Sequence, residues 1–317
     1  MTRLPTPAPT AAVRLPVKKM LLLLGAVGTL YAAVLLLWGG SAAISLAPLG
    51  SWVGLQVAAL CGLNYALRGW RWRGWMAHYG RQFGRWQGLR LYLAGYAFTP
   101  TPGNVGEAVR GLMLAEKPLS TAQSLAIFGA ERLADLLCLL LLCLPALVWV
   151  MHQGLLPSAP AWLGAALVGL AGLALVVTSF LFVFWTRLLV RVGWLAEALA
   201  CLALRPAKWL GLTLLAWAAQ GVAVWLLCRV MGLDLPVLLA AGFYAVAMVA
   251  GALSVLPAGL GGTEAALTGL LVAYGAAAAV ALSITVLARL LTLWLAVGLG
   301  VLSLVYSAAI PKDIRFS

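Results

Sequence analysis

Six stretches of this chain, about 20–38, 49–67, 120–150, 161–186, 208–230 and 277–308, stay apolar over the length of a bilayer crossing. At 1.5 Å per residue, about 20 residues of helix span a ~30 Å hydrocarbon core. Composition agrees: 64% of the residues are apolar and 9% are charged, against about 25% charged in a soluble domain. Backbone polar groups in lipid must be satisfied within the spanning structure, which leaves helices or closed barrels. The alternating strands of a barrel are absent from the sequence. The chain therefore reads as an all-α polytopic membrane protein, and a soluble, disordered or disulfide-built fold is excluded. Its five cysteines have no metal-ligand spacing and read as small apolar filler. No cofactor and no metal are expected.

The net charge is +13, and sixteen of the 21 Lys and Arg fall in the N-terminal tail, 68–90, 187–208 and the C-terminal tail. Lys and Arg gather on the cytoplasmic side of membrane proteins. With the N-terminus inside, the connections near 39–48, 151–160 and 231–237 fall outside, and none holds a Lys or Arg. Lys312 and Arg315 return the C-terminus to the inside. The expected organisation is a cytoplasmic tail at 1–19, a single transmembrane domain at 20–308 and a cytoplasmic tail at 309–317. Met20 to Trp38 is longer than the core of a signal peptide and reads as an uncleaved first helix. The stretch Arg68-Gly69-Trp70-Arg71-Trp72-Arg73-Gly74-Trp75 alternates basic and aromatic residues. Taken as a loop, it is an interfacial belt holding anionic lipid, or a recruiter of a substrate headgroup. No nucleic-acid partner is expected.

Two further apolar stretches, 90–116 and 238–275, are interrupted. The breaks are Thr99-Pro100-Thr101-Pro102-Gly103-Asn104 and Leu256-Pro257-Ala258-Gly259-Leu260-Gly261-Gly262. Pro removes a backbone donor and Gly favours non-helical backbone, so both stretches read as re-entrant helical hairpins. The breaks recur in register: Pro257, Glu264 and Arg289 follow Pro100, Glu107 and Arg132 at a common offset of 157. Gly103 and Gly106 lie between the Pro and the Glu in the first copy, Gly259 and Gly262 in the second. The chain thus divides into repeat 1, about 49–150, and repeat 2, about 208–308. On the charge topology, 49–67 runs out to in and 208–230 in to out, which makes the repeats inverted. Inverted repeats with broken helices near the midplane are a common transporter plan.

Glu107, Glu131, Asp135 and Glu264, with Arg110, Arg132 and Arg289, lie inside apolar or hairpin segments. A charge at the bilayer centre costs about 2.5–3.5 kcal/mol even on the lenient insertion scale. Two readings stay open: an ion network that only locks helices together, and a polar cavity for a charged headgroup. Half-helices starting near Asn104 and Thr263 would present free N–H groups to an anion. In the cavity reading Arg132 and Arg289 bind phosphate and Arg110 assists at an entrance. Glu107 and Glu264 orient those arginines or exchange protons, and Glu131 and Asp135 set the local charge. These four carboxylates and three arginines leave one negative charge in excess, which favours a shared proton.

The stretches Pro102-Gly103-Asn104-Val105-Gly106-Glu107-Ala108-Val109-Arg110, Glu131-Arg132-Leu133-Ala134-Asp135 and Pro257-Ala258-Gly259-Leu260-Gly261-Gly262-Thr263-Glu264, followed by Arg289, resemble the lysylphosphatidylglycerol synthase transmembrane family. The resemblance covers roughly 20–308. It implies a lipid-translocation module of the bacterial inner membrane. Fused members carry a soluble aminoacyl-transferase domain, which is not expected here, so lysyl transfer is not implied. Stand-alone relatives are associated with polyprenyl-phosphate sugars, aminoacylated phospholipids or hopanoid lipids. The expected function is a flippase for an anionic or phosphate-linked lipid, and not an enzyme. The alternatives are a non-transporting partner of an envelope-synthesis enzyme and a membrane-embedded transferase. The sequence holds no P-loop for direct ATP use, and it leaves the oligomeric state open.

Overall fold

The structure is a computed structural model that describes residues 25, 28–29, 44–112, 114, 118–153, 193–254 and 256–309, with the side chains of 102, 103, 105, 308 and 309 set aside. The expected spans 20–38 (apart from three residues) and 161–186, and both tails except residue 309, lie outside the described residues. Every regular element among the described residues is a helix, as an all-α membrane protein requires. In chain order these are α1 (Trp52–His78), α2 (Arg85–Ala94), α3 (Thr121–His152), α4 (Gly193–Ala203), α5 (Pro206–Val230), α6 (Val237–Leu253), α7 (Gly262–Ala273), α8 (Ala278–Arg289) and α9 (Leu295–Ala309). Among the described residues, three helical runs are long and apolar enough to cross a membrane: Thr121–His152, Pro206–Val230 and Ala278–Ser307.

Local chemistry sets the helix starts. Ser51 opens α1 by accepting from the Gly54 N–H. Ser120 and Gln123 form a reciprocal capping box at the head of α3. Pro206 begins α5, where its missing donor costs nothing.

Both interrupted stretches are broken where Pro and Gly fall. The first runs through α2, a 3-10 turn at Gly95–Phe98, a bend at Pro100, and a 3-10 segment at Pro102–Gly111. The second runs through α6, a 3-10 turn at Pro257–Gly259, and α7. Even the longest arm, the 17-residue α6, reaches about 26 Å, short of a ~30 Å core. Asn104 and Gly261, which match at the repeat offset, both adopt left-handed backbone, with φ of 56° and 84°. Asn and Gly are the residue types that tolerate this conformation best. The 3-10 segments at the two breaks touch each other.

The halves match in their bounds. Thr121 and His152 bound α3, and their mates at the repeat offset, Ala278 and Ala309, bound the run from α8 to α9. Each hairpin packs on the long helix of the other half: α6 on α3, and α2 with its 3-10 turn on α9. Gly242 lets α6 approach the backbone of α3 at Ala146, and Gly300 brings α9 against the backbone of Leu93 and Ala97. Helices α1 and α5, the first helices of the two halves, pack directly on each other. Along α1, Asn64 donates to the Ala216 carbonyl (2.8 Å), Arg71 bonds Thr213, and Trp75 meets Trp209. The partner numbers fall as the α1 numbers rise, so the two helices are antiparallel.

One expectation is corrected here. The basic and aromatic stretch 68–75 is not a loop, because α1 continues through it to His78. Arg68, Arg71, Trp72 and Trp75 recur at three- and four-residue spacing and form a buried stripe. Trp70, 55% exposed, lies off that stripe. The belt on anionic lipid therefore loses two of its three arginines to the protein interior.

Candidate functional site

Arg132 sits eleven residues into α3, and Arg289 closes α8 eleven residues after Ala278. At 1.5 Å per residue both lie about 16 Å from their helix starts, near the middle of a ~30 Å core. Glu107 and Glu264 come from the two broken segments. Each pairs with the arginine that follows it at the repeated spacing: Arg132 Nη2 to Glu107 Oε2 at 3.4 Å, and Arg289 Nε to Glu264 Oε1 at 2.7 Å. Arg289 Nη2 also donates to the Ala258 carbonyl, at a residue with left-handed backbone (2.8 Å). Glu264 Oε2 accepts from the Gly261 N–H (2.7 Å), so this carboxylate both caps α7 and holds Arg289.

Beyond these mates the halves diverge. Asp135 binds Arg68 (2.6 Å), Arg71 (3.0 Å) and Arg132 (3.3 Å), and accepts from Trp217 Nε1 (3.3 Å). Glu131 binds Arg110 (3.0 Å) and lies 3.9 Å from Arg71. Arg110 also pairs with Glu107 and stacks over Tyr92 at 4.3 Å. Thr99 donates to Glu107 (2.8 Å). The positions of α5 that match Arg68 and Arg71 at the offset of 157 are Trp225 and Cys228, so these two arginines have no counterparts in the second half.

A cavity of about 90 Å³ opens between the halves, with room for several waters or a small anionic group. Its wall includes Arg68, Asn104, Glu107 and Arg132 from the first half and Trp217, Gln220, Tyr244, Ala258 and Arg289 from the second. The Arg68 guanidinium lies over the Trp217 ring at 5.3 Å. Immediately after Arg289 the helix widens to a π segment, Leu290–Trp294. Such bulges free backbone carbonyls and recur at functional sites. Tyr65 donates to the carbonyls of Leu291 (3.1 Å) and Thr292 (3.0 Å) there.

Of the site residues expected from sequence, Arg132, Arg289, Glu107 and Asn104 face this cavity. Glu264 backs Arg289. Arg110 and Glu131 line a smaller pocket that shares Glu107 with this cavity, and Asp135 lies among Arg68, Arg71 and Arg132. Thr263 is turned away: its hydroxyl abuts Gly251 of α6 and has no partner among the described residues. Of the break residues, Pro257 opens the 3-10 turn, Gly259 takes φ of 66°, Gly262 packs on Ser254, and Gly106 fits against the Phe98 carbonyl.

Sequence pattern alone misses Arg68 and Arg71, and they change the arithmetic. The cluster holds five arginines, Arg68, Arg71, Arg110, Arg132 and Arg289, and four carboxylates, Glu107, Glu131, Asp135 and Glu264. It carries one positive charge in excess, not one negative, and the argument for a shared proton falls with that correction. The signal was present in the three- and four-residue spacing of Arg68, Arg71, Trp72 and Trp75, which marks a helix face. Among the described residues no three His, Cys, Asp or Glu side chains gather to hold a metal ion.

The family model described as lysylphosphatidylglycerol synthase TM region matches residues 21–300. No curated protein matches the chain. A match over that much of the sequence places it: the chain belongs to the lysylphosphatidylglycerol synthase transmembrane-region family.

Proposed function

We propose that this family member is a lipid transporter rather than an enzyme, moving an anionic or phosphate-linked lipid across the bacterial inner membrane. A polyprenyl-phosphate sugar or an aminoacylated phospholipid fits the reading. The observation that carries it is the cavity between the two broken segments, where Arg68, Arg132 and Arg289 outnumber the single lining carboxylate, Glu107. Guanidinium groups present planar, always-charged donors that match phosphate oxygens in pairs. Lone charges are expensive at this depth, so an arginine-rich cavity there points to a charged ligand.

The helix directions support transport. Antiparallel α1 and α5, and hairpins packed on the opposite half's long helix, fit an inverted repeat. That arrangement lets one half rock against the other around a fixed midplane site. The distribution of basic residues supports cytoplasmic termini.

Native mass spectrometry of the purified protein tests the site. Wild type is expected to retain one anionic lipid class, and Arg132→Ala and Arg289→Ala to lose it. Equal retention of bulk phospholipid by all three proteins would make the arginine network a helix lock and sink the proposal.

A further inference from the structure

Resting on the reading of the cavity as a lipid site, we propose that Gln220 sets its specificity beyond the phosphate. The arginines take the phosphate, and the Gln220 carboxamide takes a hydroxyl of the headgroup. The preferred ligand is a phosphodiester lipid whose headgroup carries a hydroxyl close to the phosphate, as a sugar or a glycerol does. A glycerol headgroup aminoacylated at one position keeps such a hydroxyl.

The neutral polar side chains of the wall divide into committed and free donors. The hydroxyls of Tyr65, Tyr96, Thr99, Tyr244 and Thr292 already donate within the protein. A hydroxyl has one proton to give, so these five have no donor left for a ligand. Gln220 differs. Its Oε1 accepts from the Tyr244 hydroxyl (3.2 Å), which orients the carboxamide and leaves both Nε2 protons without a partner among the described residues. The residue is 4% exposed, and it lines the cavity. Oε1 keeps a second lone pair.

Position agrees. Gln220 lies fourteen residues after Pro206 in α5, about 21 Å along the helix and well inside a ~30 Å core. Trp217, three residues earlier and on the same face, lies under the Arg68 guanidinium. The repeat does not account for Gln220, whose mate at the offset of 157 is Leu63. Asn104, the other carboxamide of the wall, has Gly261 as its mate and a left-handed backbone that explains it. An amide with unused donors is costly in a membrane core, so Gln220 points to a ligand. A phosphate oxygen only accepts, and Arg68, Arg132 and Arg289 already supply donors for it. A hydroxyl both donates and accepts, as the carboxamide does. The cavity's 90 Å³, about six waters' worth of space, has room for a phosphate and the first hydroxyl-bearing carbons beyond it.

The test is competition binding to the purified protein in micelles, using two lipids with identical acyl chains. Phosphatidylglycerol and phosphatidylpropanol carry the same charge and the same three-carbon headgroup, and differ only in hydroxyls. Wild type is expected to prefer phosphatidylglycerol about tenfold, because the analogue leaves buried donors unpaired. Gln220→Met, close in volume, is expected to bring that ratio to about one. Arg132→Gln is expected to weaken both lipids and keep the ratio. Should the unpaired Tyr244 hydroxyl prevent Gln220→Met from folding, Gln220→Met with Tyr244→Phe removes both partners of the bond and is expected to give the same ratio. Equal binding of the two lipids by wild type, or an undiminished ratio in the Gln220 variants, overturns the assignment while leaving lipid binding intact. A loss in Gln220→Met shared equally by both lipids puts the contact on the phosphate and also overturns it. No binding of either lipid overturns the reading it rests on, and competition by soluble glycerophosphoglycerol at lipid-like concentrations overturns the lipid source.

Discussion

Asp135 is the carboxylate of the buried cluster shared by the most arginines. Its carboxylate, 6% exposed, is shared by Arg68, Arg71 and Arg132 within 3.3 Å and accepts from Trp217. Removing one partner of a buried ion pair costs about 3–5 kcal/mol, because the remaining charge stays buried. The Trp217 bond adds about 1 kcal/mol. Asp135→Ala is therefore expected to destabilise the fold by about 4–6 kcal/mol, roughly a thousandfold or more in the folding equilibrium. Glu264→Gln gives the internal comparison. That carboxylate is 19% exposed and holds a single arginine, so its loss is expected to cost about 1.5–3 kcal/mol. Unfolding in mixed micelles, followed by tryptophan fluorescence, reads both. Arg71→Met combined with Asp135→Leu should recover part of the loss, since apolar residues can replace a buried pair at little cost. An Asp135→Ala protein within about 0.5 kcal/mol of wild type, in the range of a surface substitution, would refute the view that this carboxylate anchors the network.

Three further outcomes follow from particular contacts. Asn104→Val is expected to lose about 1–2 kcal/mol, because φ is 56° there, while Asn104→Gly stays near wild type; thermal unfolding in detergent separates them. Gly300→Val is expected to abolish the folded state, because a side chain would meet the backbone at Leu93 and Ala97; size-exclusion profiles and yield report it. Tyr65→Phe is expected to cost about 1 kcal/mol through the carbonyls of Leu291 and Thr292, measured in the same micelle assay.

Sequence patterns located the parts of this site that repeat. Glu107 with Arg132, and Glu264 with Arg289, stand at the same spacing in both halves, and both are ion pairs. The breaks were legible because Pro and Gly act on the backbone directly, whatever packs around them. The parts found in only one half were harder to read. Arg68 and Arg71 follow an apolar run, and a hydropathy scan ends the helix where charge begins. Their burial depends on Asp135, 64 and 67 residues away, which local pattern cannot reveal. The direction of Thr263, set by close contact with Gly251, and the π segment after Arg289 depend on tertiary packing. The sign of the net charge was lost with the two arginines.

Translocation itself is the most direct test. The purified protein would be reconstituted into vesicles containing a fluorescent phosphatidylglycerol, and outer-leaflet label bleached with a membrane-impermeant reductant. Vesicles with wild-type protein are expected to lose label beyond the outer half as inner-leaflet lipid moves outward. Vesicles with Arg132→Gln or Arg289→Gln are expected to stop at half, as protein-free vesicles do. Bleaching that stops at half with wild type, or proceeds equally in both variants, would contradict a lipid pathway through the arginine cavity.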